Sequence, residues 1–359
     1  MNFCYKFPVV KGIQANREYY IAMVPLKMLK RLFPEDNEFV MPEYRAQRRV
    51  NESRIPTIAK YILENEDTYV FSALAASIDG EFQFVPYGDD GLGMLEISMD
   101  AKFLINDGQH RKAAIEQALI EKPELGDESI SIVFYKDLGL KYSQQMFTDL
   151  NKHAVKTSNS IAELYDSRDE LAVVTRKTVE EVHFFKEYVD KEKDILGKFS
   201  SALFTLNTIY TANKRILSKN KCDKNFECFC IRYWNIISKN MTPWNELQNK
   251  ELSKKELREQ YLAVQSVIIQ SFGKLGAYFY KNEDVDMDNI LIALQNVNWS
   301  RSAECWYLRV VKENGRMINN EKAISLAVNM LKNSLGIKLS EYVNDIEKDF
   351  IKNKNRGKI

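Results

Sequence analysis

A two-part α+β chain is the fold class this sequence predicts, with a mixed strand-and-helix portion over residues 1–157 and an all-helical portion over residues 158–359. Three observations predict it. The 359 residues are many for one compact domain and comfortable for two. Short β-like runs alternate with helical segments up to residue 157, whereas from Ser158 onward apolar residues recur every three or four positions. Proline nearly vanishes from the second portion, where Pro243 stands alone.

In the first portion, Tyr69-Val-Phe-Ser-Ala-Leu74 reads as a buried strand, and Glu81-Phe-Gln-Phe-Val85 alternates like a half-exposed one. Asp79-Gly80 between them supplies a hairpin turn. Lys102–Ile105 and Ser129–Tyr135 are two more strands, and the glycine-rich Gly88–Gly93 is a loop. Ile55, Ile58, Ala59, Ile62 and Leu63 recur at helical spacing, with Pro56 tolerated in the first turn and Ser53 a candidate cap. Arg111–Ile120 and Ser143–Asn151 are the other helices of this portion.

In the second portion, Ser253-Lys-Lys-Glu256 is a capping box opening a helix whose inner face runs through Leu257, Tyr261, Val264 and Ile268. Asn320–Lys332 and Ser340–Phe350 are helices joined through Gly336. With the basic tail Lys352, Lys354, Arg356 and Lys358 they form either a helical hairpin with a solvated end or, against that simpler reading, a helix-turn-helix.

Composition bounds the function. Hydrophobic residues at 45% and charged residues at 28% describe a soluble chain with ample core material. A net charge of +1 gives no global field, so nucleic acid would have to be met by a local patch. No apolar run approaches the ~18 residues of a membrane span, and Met1–Lys6 is not a secretory signal. Five cysteines, an odd number without an export signal, are expected as reduced thiols in a cytoplasmic protein. Cys222, Cys228 and Cys230 have Cys-x5-Cys-x-Cys spacing and no fourth ligand nearby, so a zinc site is not expected and no metal is assigned. His183, beside Phe184 and Phe185, reads as a packing residue. Walker A, Rossmann, His-Glu-x-x-His and Gly-x-Ser-x-Gly patterns are all absent.

The chemistry concentrates at Phe103-Leu-Ile-Asn-Asp-Gly-Gln-His-Arg-Lys-Ala-Ala-Ile115, a strand, a tight turn and a helix start. Glycine lets the backbone approach a ligand, and the first amides of the helix point outward at the positive end of its dipole. Asp107, Gly108, Gln109, His110 and Arg111 are the candidate phosphate-binding residues, Arg111 as a fork matched to phosphate oxygens. Asp107 repels an anion unless it caps the helix or bridges through a divalent metal. The competing reading is a capped junction with Arg111 in a salt bridge. Asn151 and Lys152, with His153, follow the third helix and either face this turn or simply end that helix. Arg45, Arg48, Arg49 and Arg54, with Gln47 and Asn51 interleaved, form the densest cationic run. They suit phosphate and base-edge contacts, unless Glu43 and Glu52 merely pair with them on a solvated face.

Asp107-Gly108-Gln109-His110-Arg111 matches in full the pentapeptide signature of the DGQHR family. Phe147-Thr-Asp-Leu-Asn151 and the Ser at 158 look like its second block. Pro42–Pro56 and Tyr69–Gly80 look like the N-terminal part of the DndB branch; Leu203–Asn207, Trp299-Ser-Arg301 and Trp306 resemble its helical half. The resemblance implies a ParB/sulfiredoxin-like N-terminal domain whose strand-to-helix turn holds nucleotide phosphates or a DNA-linked group. It further implies a repressor that binds promoter DNA of genes replacing a non-bridging phosphate oxygen of DNA with sulfur. The turn departs from the arginine-rich one of ParB and from the Gly-Cys-His-Arg of sulfiredoxin, so neither a nucleotide switch nor sulfur reduction transfers directly. The expected partner is therefore double-stranded promoter DNA, with the sulfur-modification enzymes as further partners. The alternative is a nucleotide-binding enzyme with weak nucleoside-triphosphatase or DNA-processing activity, in which Asp107, His110 and Arg111 would act on a magnesium-bound nucleotide. A scaffold for the modification enzymes, built on the helical portion, is a third reading.

Overall fold

The computed structural model describes residues 3–34, 51–152 and 157–355. Alternating buried and exposed positions mark two long strands at the start, Cys4–Gln14 (β1) and Arg17–Pro25 (β2), whose exposed positions include the apolar Val10, Ile13, Ile21 and Met23. They fold back through Ala15 and Asn16, both at positive φ (50° and 60°), so that Gln14 pairs with Arg17. That is the backbone twist a two-residue hairpin requires. The other strands of the sheet are Leu74–Asp79 (β3), Phe82–Pro86 (β4), Leu92–Ser98 (β5), Lys102–Asp107 (β6) and Ser129–Lys136 (β7). Their order is β4-β5-β1-β2-β7-β3-β6, antiparallel except for β3 beside β7. The fold class is α+β, as the alternation of runs predicts.

The sheet curls. β3 and β4 lie five strand spacings apart in that order, about 24 Å if the sheet were flat, yet Gly80 and Glu81 alone connect them. Three Cα steps span at most about 11 Å, so the sheet bends round until its first strand approaches its sixth. The concave side carries Phe7, Val9, Tyr20, Val24, Leu95, Ile97, Ile132 and Phe134, all buried. Against this core sit Leu29–Leu32 (α1), Ile55–Glu64 (α2) and Gln109–Glu121 (α3), contributing Leu29, Ile62, Ile115 and Ala118. Leu140–Lys152 (α4) is held from the other direction, with Arg17 stacked 4.2 Å from the ring of Tyr142.

Four expectations for the first portion of the sequence need correction. Residues 69–73 are not a strand: β3 starts at Leu74, and Val70 is exposed. Asp79-Gly80 turns the chain but makes no hairpin, because β3 pairs with β6 and β7 while β4 pairs with β5. Gly93 belongs to β5 rather than to a loop. Ser53 is not the cap; Asn51 Oδ1 accepts from Ser53 N–H at 3.2 Å and caps the 3-10 turn Glu52–Arg54 that leads into α2.

Contacts divide the chain into two compact units, Met1–Val155 and Lys156–Ile359. In the second, the described helices are Asn159–Tyr165 (α5), Glu170–Glu181 (α6), His183–Tyr188 (α7), Leu206–Leu217 (α8), Lys224–Asn240 (α9), Thr242–Gln248 (α10), Lys254–Gln260 (α11), Ser266–Lys281 (α12), Met287–Leu291 (α13), Glu321–Ser334 (α14) and Glu341–Asn355 (α15). A two-stranded parallel pair, Val189–Asp190 (β8) with Phe204–Thr205 (β9), interrupts them. An aromatic cluster centres the core, with Phe184 stacked on Trp244 at 4.4 Å and Phe185 edge-on to Trp234 at 5.2 Å. Two polar groups buried among these rings are paired: Trp234 Nε1 donates to Asn213 Oδ1 at 2.8 Å, and Tyr233 O–H to Phe272 O at 2.7 Å. Gly273 lets α12 lie directly on α8, since a Cβ there would stand 2.6 Å from Ala212 O.

The capping box at Ser253 and Glu256 is present, but the helix it opens stops at Gln260. Tyr261 and Leu262 bond across to Trp299 and Ser300 instead, and helix resumes at Ser266. His183 is exposed at the start of α7, its Nδ1 3.0 Å from Gln248 Nε2, and does not pack in the core. No helix of the described residues is long and apolar enough to cross a membrane.

Candidate functional site at the strand-to-helix turn

β6 is an edge strand that ends in the pentapeptide, and a bulge prepares its last residues. Ala75 pairs with Asp107 while Ala76 pairs with Ile105, so Asn106 is the extra residue. Such a bulge bends the strand and re-aims the side chains that follow it. Asn106 is fully buried, its amide donating to Ser77 Oγ at 2.7 Å and contacting Met146 Sδ of α4 at 3.1 Å, while its Oδ1 has no partner. Gly108 then takes φ 102°, ψ 14° as N-cap of α3 and gives no side-chain cap. A Cβ at this position would collide with Leu74 Cδ2 and approach the Arg111 guanidinium at 3.2 Å, so both conformation and space demand glycine.

Arg111 braces this turn from within. Its Nη2 donates to Asp107 Oδ2 at 2.6 Å, and its Nη1 reaches Ser72 O at 2.6 Å, Ala73 O at 3.0 Å and Ser72 Oγ. The side chain is 18% exposed. This is the salt-bridged junction that the sequence leaves open beside the anion-site reading. It also explains residues 69–73: the carbonyls at Ser72 and Ala73 accept from a guanidinium instead of from a neighbouring strand.

His110 points elsewhere. Its Nε2 accepts from Asn51 N–H at 2.9 Å, which needs Nε2 unprotonated and the ring proton on Nδ1. That bond joins two stretches 59 residues apart: the pentapeptide and the end of the cationic run. Asn51 and Arg54 are exposed beside it. Arg45, Gln47, Arg48 and Arg49 lie outside the described residues, as does His153. Gln109 is half-buried in the first turn of α3. At the end of α4, Asn151 turns its amide back to Phe147 O at 2.8 Å, and Lys152 is exposed.

Sequence reasoning missed Ser72, Ser77 and Asn106, which position the turn. The available signal was a lone Asn inside the apolar strand Phe103-Leu-Ile-Asn, next to Asp107-Gly108. The cysteine group carries none of this chemistry. All five thiols are free; burial pushes Cys222 up to about 11 and holds Cys230 well above the ordinary thiol range. No cluster of three or more His, Cys, Asp or Glu side chains suited to a metal occurs among the described residues.

Comparison with known proteins completes the picture. No curated protein and no solved structure matches the chain. The family model for DndB, described as DNA-sulfur modification-associated, matches residues 7–338, so that the chain belongs to the DndB family.

Proposed function

We propose that the protein is a DNA-binding repressor of a DNA sulfur-modification gene cluster, contacting duplex promoter DNA through the cationic run and the pentapeptide turn together. Family membership supplies the link to DNA sulfur modification. The observation that supports the binding surface is the 2.9 Å bond from Asn51 N–H to His110 Nε2, which ties the pentapeptide to the Asn51–Arg54 end of the cationic run. In this reading Arg45, Arg48, Arg49 and Arg54 neutralise phosphates, Gln47, Asn51 and Gln109 meet base edges, and Asn151 and Lys152 lie at the margin. Asp107 and Arg111 hold the turn rigid rather than touching DNA.

The bracing of Arg111 favours this reading over a nucleotide-hydrolysing enzyme. Both terminal nitrogens of its guanidinium already meet Asp107, Ser72 and Ala73, so the fork matched to a triphosphate is occupied. In this reading the ParB/sulfiredoxin likeness expected of the domain rests on a strand–turn–helix junction rather than on a nucleotide switch.

A footprint upstream of the protein's own gene cluster, followed by a salt titration, tests the proposal. Protection of a discrete site is expected, with log K falling linearly in log salt at a slope near −0.9 per phosphate contacted. The Arg48→Ala/Arg49→Ala variant should weaken binding to every duplex and flatten that slope by about two. An unchanged slope removes the cationic run from the interface. A thermal shift of several degrees with ATP or CTP and magnesium that needs Arg111 would instead favour the nucleotide-binding reading.

A further inference from the structure

Residues 191–203, between β8 and β9, show something that burial of apolar side chains cannot explain. Ile195 is 85% exposed and Phe199 is 93% exposed. A large apolar side chain on a mobile loop can bury itself transiently, whereas one on a fixed loop is held in water at a standing cost of about 1.5–3 kcal/mol relative to burial.

This loop is fixed at both ends. On one side Asp190 Oδ1 accepts from the amides of Glu192 and Lys193, each at 2.9 Å. Ser158 Oγ and Ser160 Oγ donate to the carbonyls of Glu192 and Lys193, and the Asp194 carboxylate takes the amides of Asn159 and Ser160 at 2.8 and 2.9 Å. On the other side the Arg258 guanidinium of α11 donates to the carbonyls of Lys198, Ser200 and Ala202. The frame is made of side chain–backbone bonds, and its effect is to hold Ile195 and Phe199 outward.

Charge points to the partner. Lys193 and Lys198 are exposed on either side of Ile195, and Lys198 Nζ lies 5.9 Å from the Phe199 ring. Asp194 is turned into the frame and Lys191 pairs with Glu180 of α6, so Glu192 remains against Lys193 and Lys198 on the loop. Two projecting apolar side chains do not make the broad patch of several hundred Å² that a protein partner covers. Phe and Ile flanked by lysines are instead the side chains that enter and unstack a base step while cations take the adjacent phosphates.

We propose that the loop 191–203 is a DNA wedge. Phe199 and Ile195 insert into a base step of duplex DNA and bend it, with Lys193 and Lys198 on the flanking phosphates. The proposal rests on the DNA-binding reading above and adds a second, apolar mode of contact in the helical unit.

The test uses the full-length protein and short duplexes from the footprinted region. One set carries 2-aminopurine at successive steps, and another carries a fluorophore pair at its ends. Bound wild-type protein should raise 2-aminopurine fluorescence at one step and shorten the end-to-end distance. The Ile195→Ser/Phe199→Ser variant should lose both signals and bind about tenfold more weakly, the size of one lost stacking contact. Both positions are solvent-exposed, so its melting temperature should match the wild type. Phe199→Leu should keep the bend, and Lys193→Gln/Lys198→Gln should reduce the salt slope while unstacking persists. Unaltered signals in the double serine variant, or wild-type binding with neither unstacking nor bending, overturn the wedge and leave the repressor reading intact. Failure of the wild type to bind any duplex overturns both. Binding to anionic vesicles that requires Phe199, without DNA unstacking, would reassign the loop to a membrane surface.

Discussion

Arg111 and Gly108 solve one problem together. The chain leaves an edge strand and enters a helix within a single residue, through a left-handed glycine beside which one guanidinium holds Asp107 and the Ser72–Ala73 carbonyls. Gly108→Ala should therefore destabilise the N-terminal unit by about 1–3 kcal/mol, through positive φ and the collision with Leu74. Arg111→Ala should cost about 2 kcal/mol, and Arg111→Lys should recover little of it, because one ammonium cannot serve oxygens arrayed around a planar fork. Urea unfolding midpoints decide both. A second residue-scale case sits in the helical unit, at Glu163 of α5. Its side chain is buried, Oε2 has no partner, and burial, followed by the charges of Asp194 and Asp169, raises its carboxyl to about 7. An acid whose folded pKa exceeds its unfolded one holds its proton more tightly when folded, so stability falls as pH rises from about 4.5 to about 7 and stays low above that. Glu163→Gln should flatten this profile and raise the melting temperature at pH 8. A variant that melts lower than wild type at that pH would show the ionised form to be stabilised by something else.

Among the described elements, α15 is held by a buried charge pair. Glu347 of α15 pairs with Arg309 in a setting where the two side chains are 6% and 7% exposed, with Arg309 also donating to Leu326 O and lying 4.6 Å from the Phe350 ring. Removing one partner strands a buried charge, so Glu347→Gln should cost about 3–5 kcal/mol, whereas replacing both with apolar residues should cost less. Hydrogen exchange should show α15 losing protection first. Helices such as α14 and α15 were legible because their apolar spacing, the Asn320 cap and the Gly336 stop all agree. Strands were harder. The β1–β2 turn is Ala15-Asn16, with no glycine to mark it, and β5 hides behind the glycine-rich run at Gly88–Gly93. Residues 69–73 have strand composition, yet their carbonyls serve Arg111, a contact made 38 residues or more along the chain that no local pattern encodes. The same holds for the site: the pentapeptide and the cationic run could each be found by reading, but only folding brings Asn51 to His110. The α11 helix shows the limit from the other side, since periodicity through Tyr261 and Val264 suggested one helix where pairing with Trp299 and Ser300 breaks it.

At the scale of the molecule, the division of hydrophobic material is the governing fact. Among the described residues the sheet core runs from Phe7 to Phe134 and the helical core from Leu171 to Ile337, each with its own buried aromatic residues. A unit that buries its own apolar faces needs no partner for its stability, and about 200 residues suffice for an independent domain. We therefore expect residues 157–359, expressed alone, to unfold in one cooperative transition, with the near-ultraviolet dichroism of an ordered cluster around Trp234 and Trp244. If the proposed division of labour is right, this fragment keeps the apolar contact of its loop but lacks the cationic run. It should then bind duplex DNA with a smaller salt slope than the full chain and without preference for the footprinted site. A fragment that folds yet retains that preference would move sequence recognition into the helical unit; one that lacks a cooperative transition would show that the two cores are stable only as one molecule.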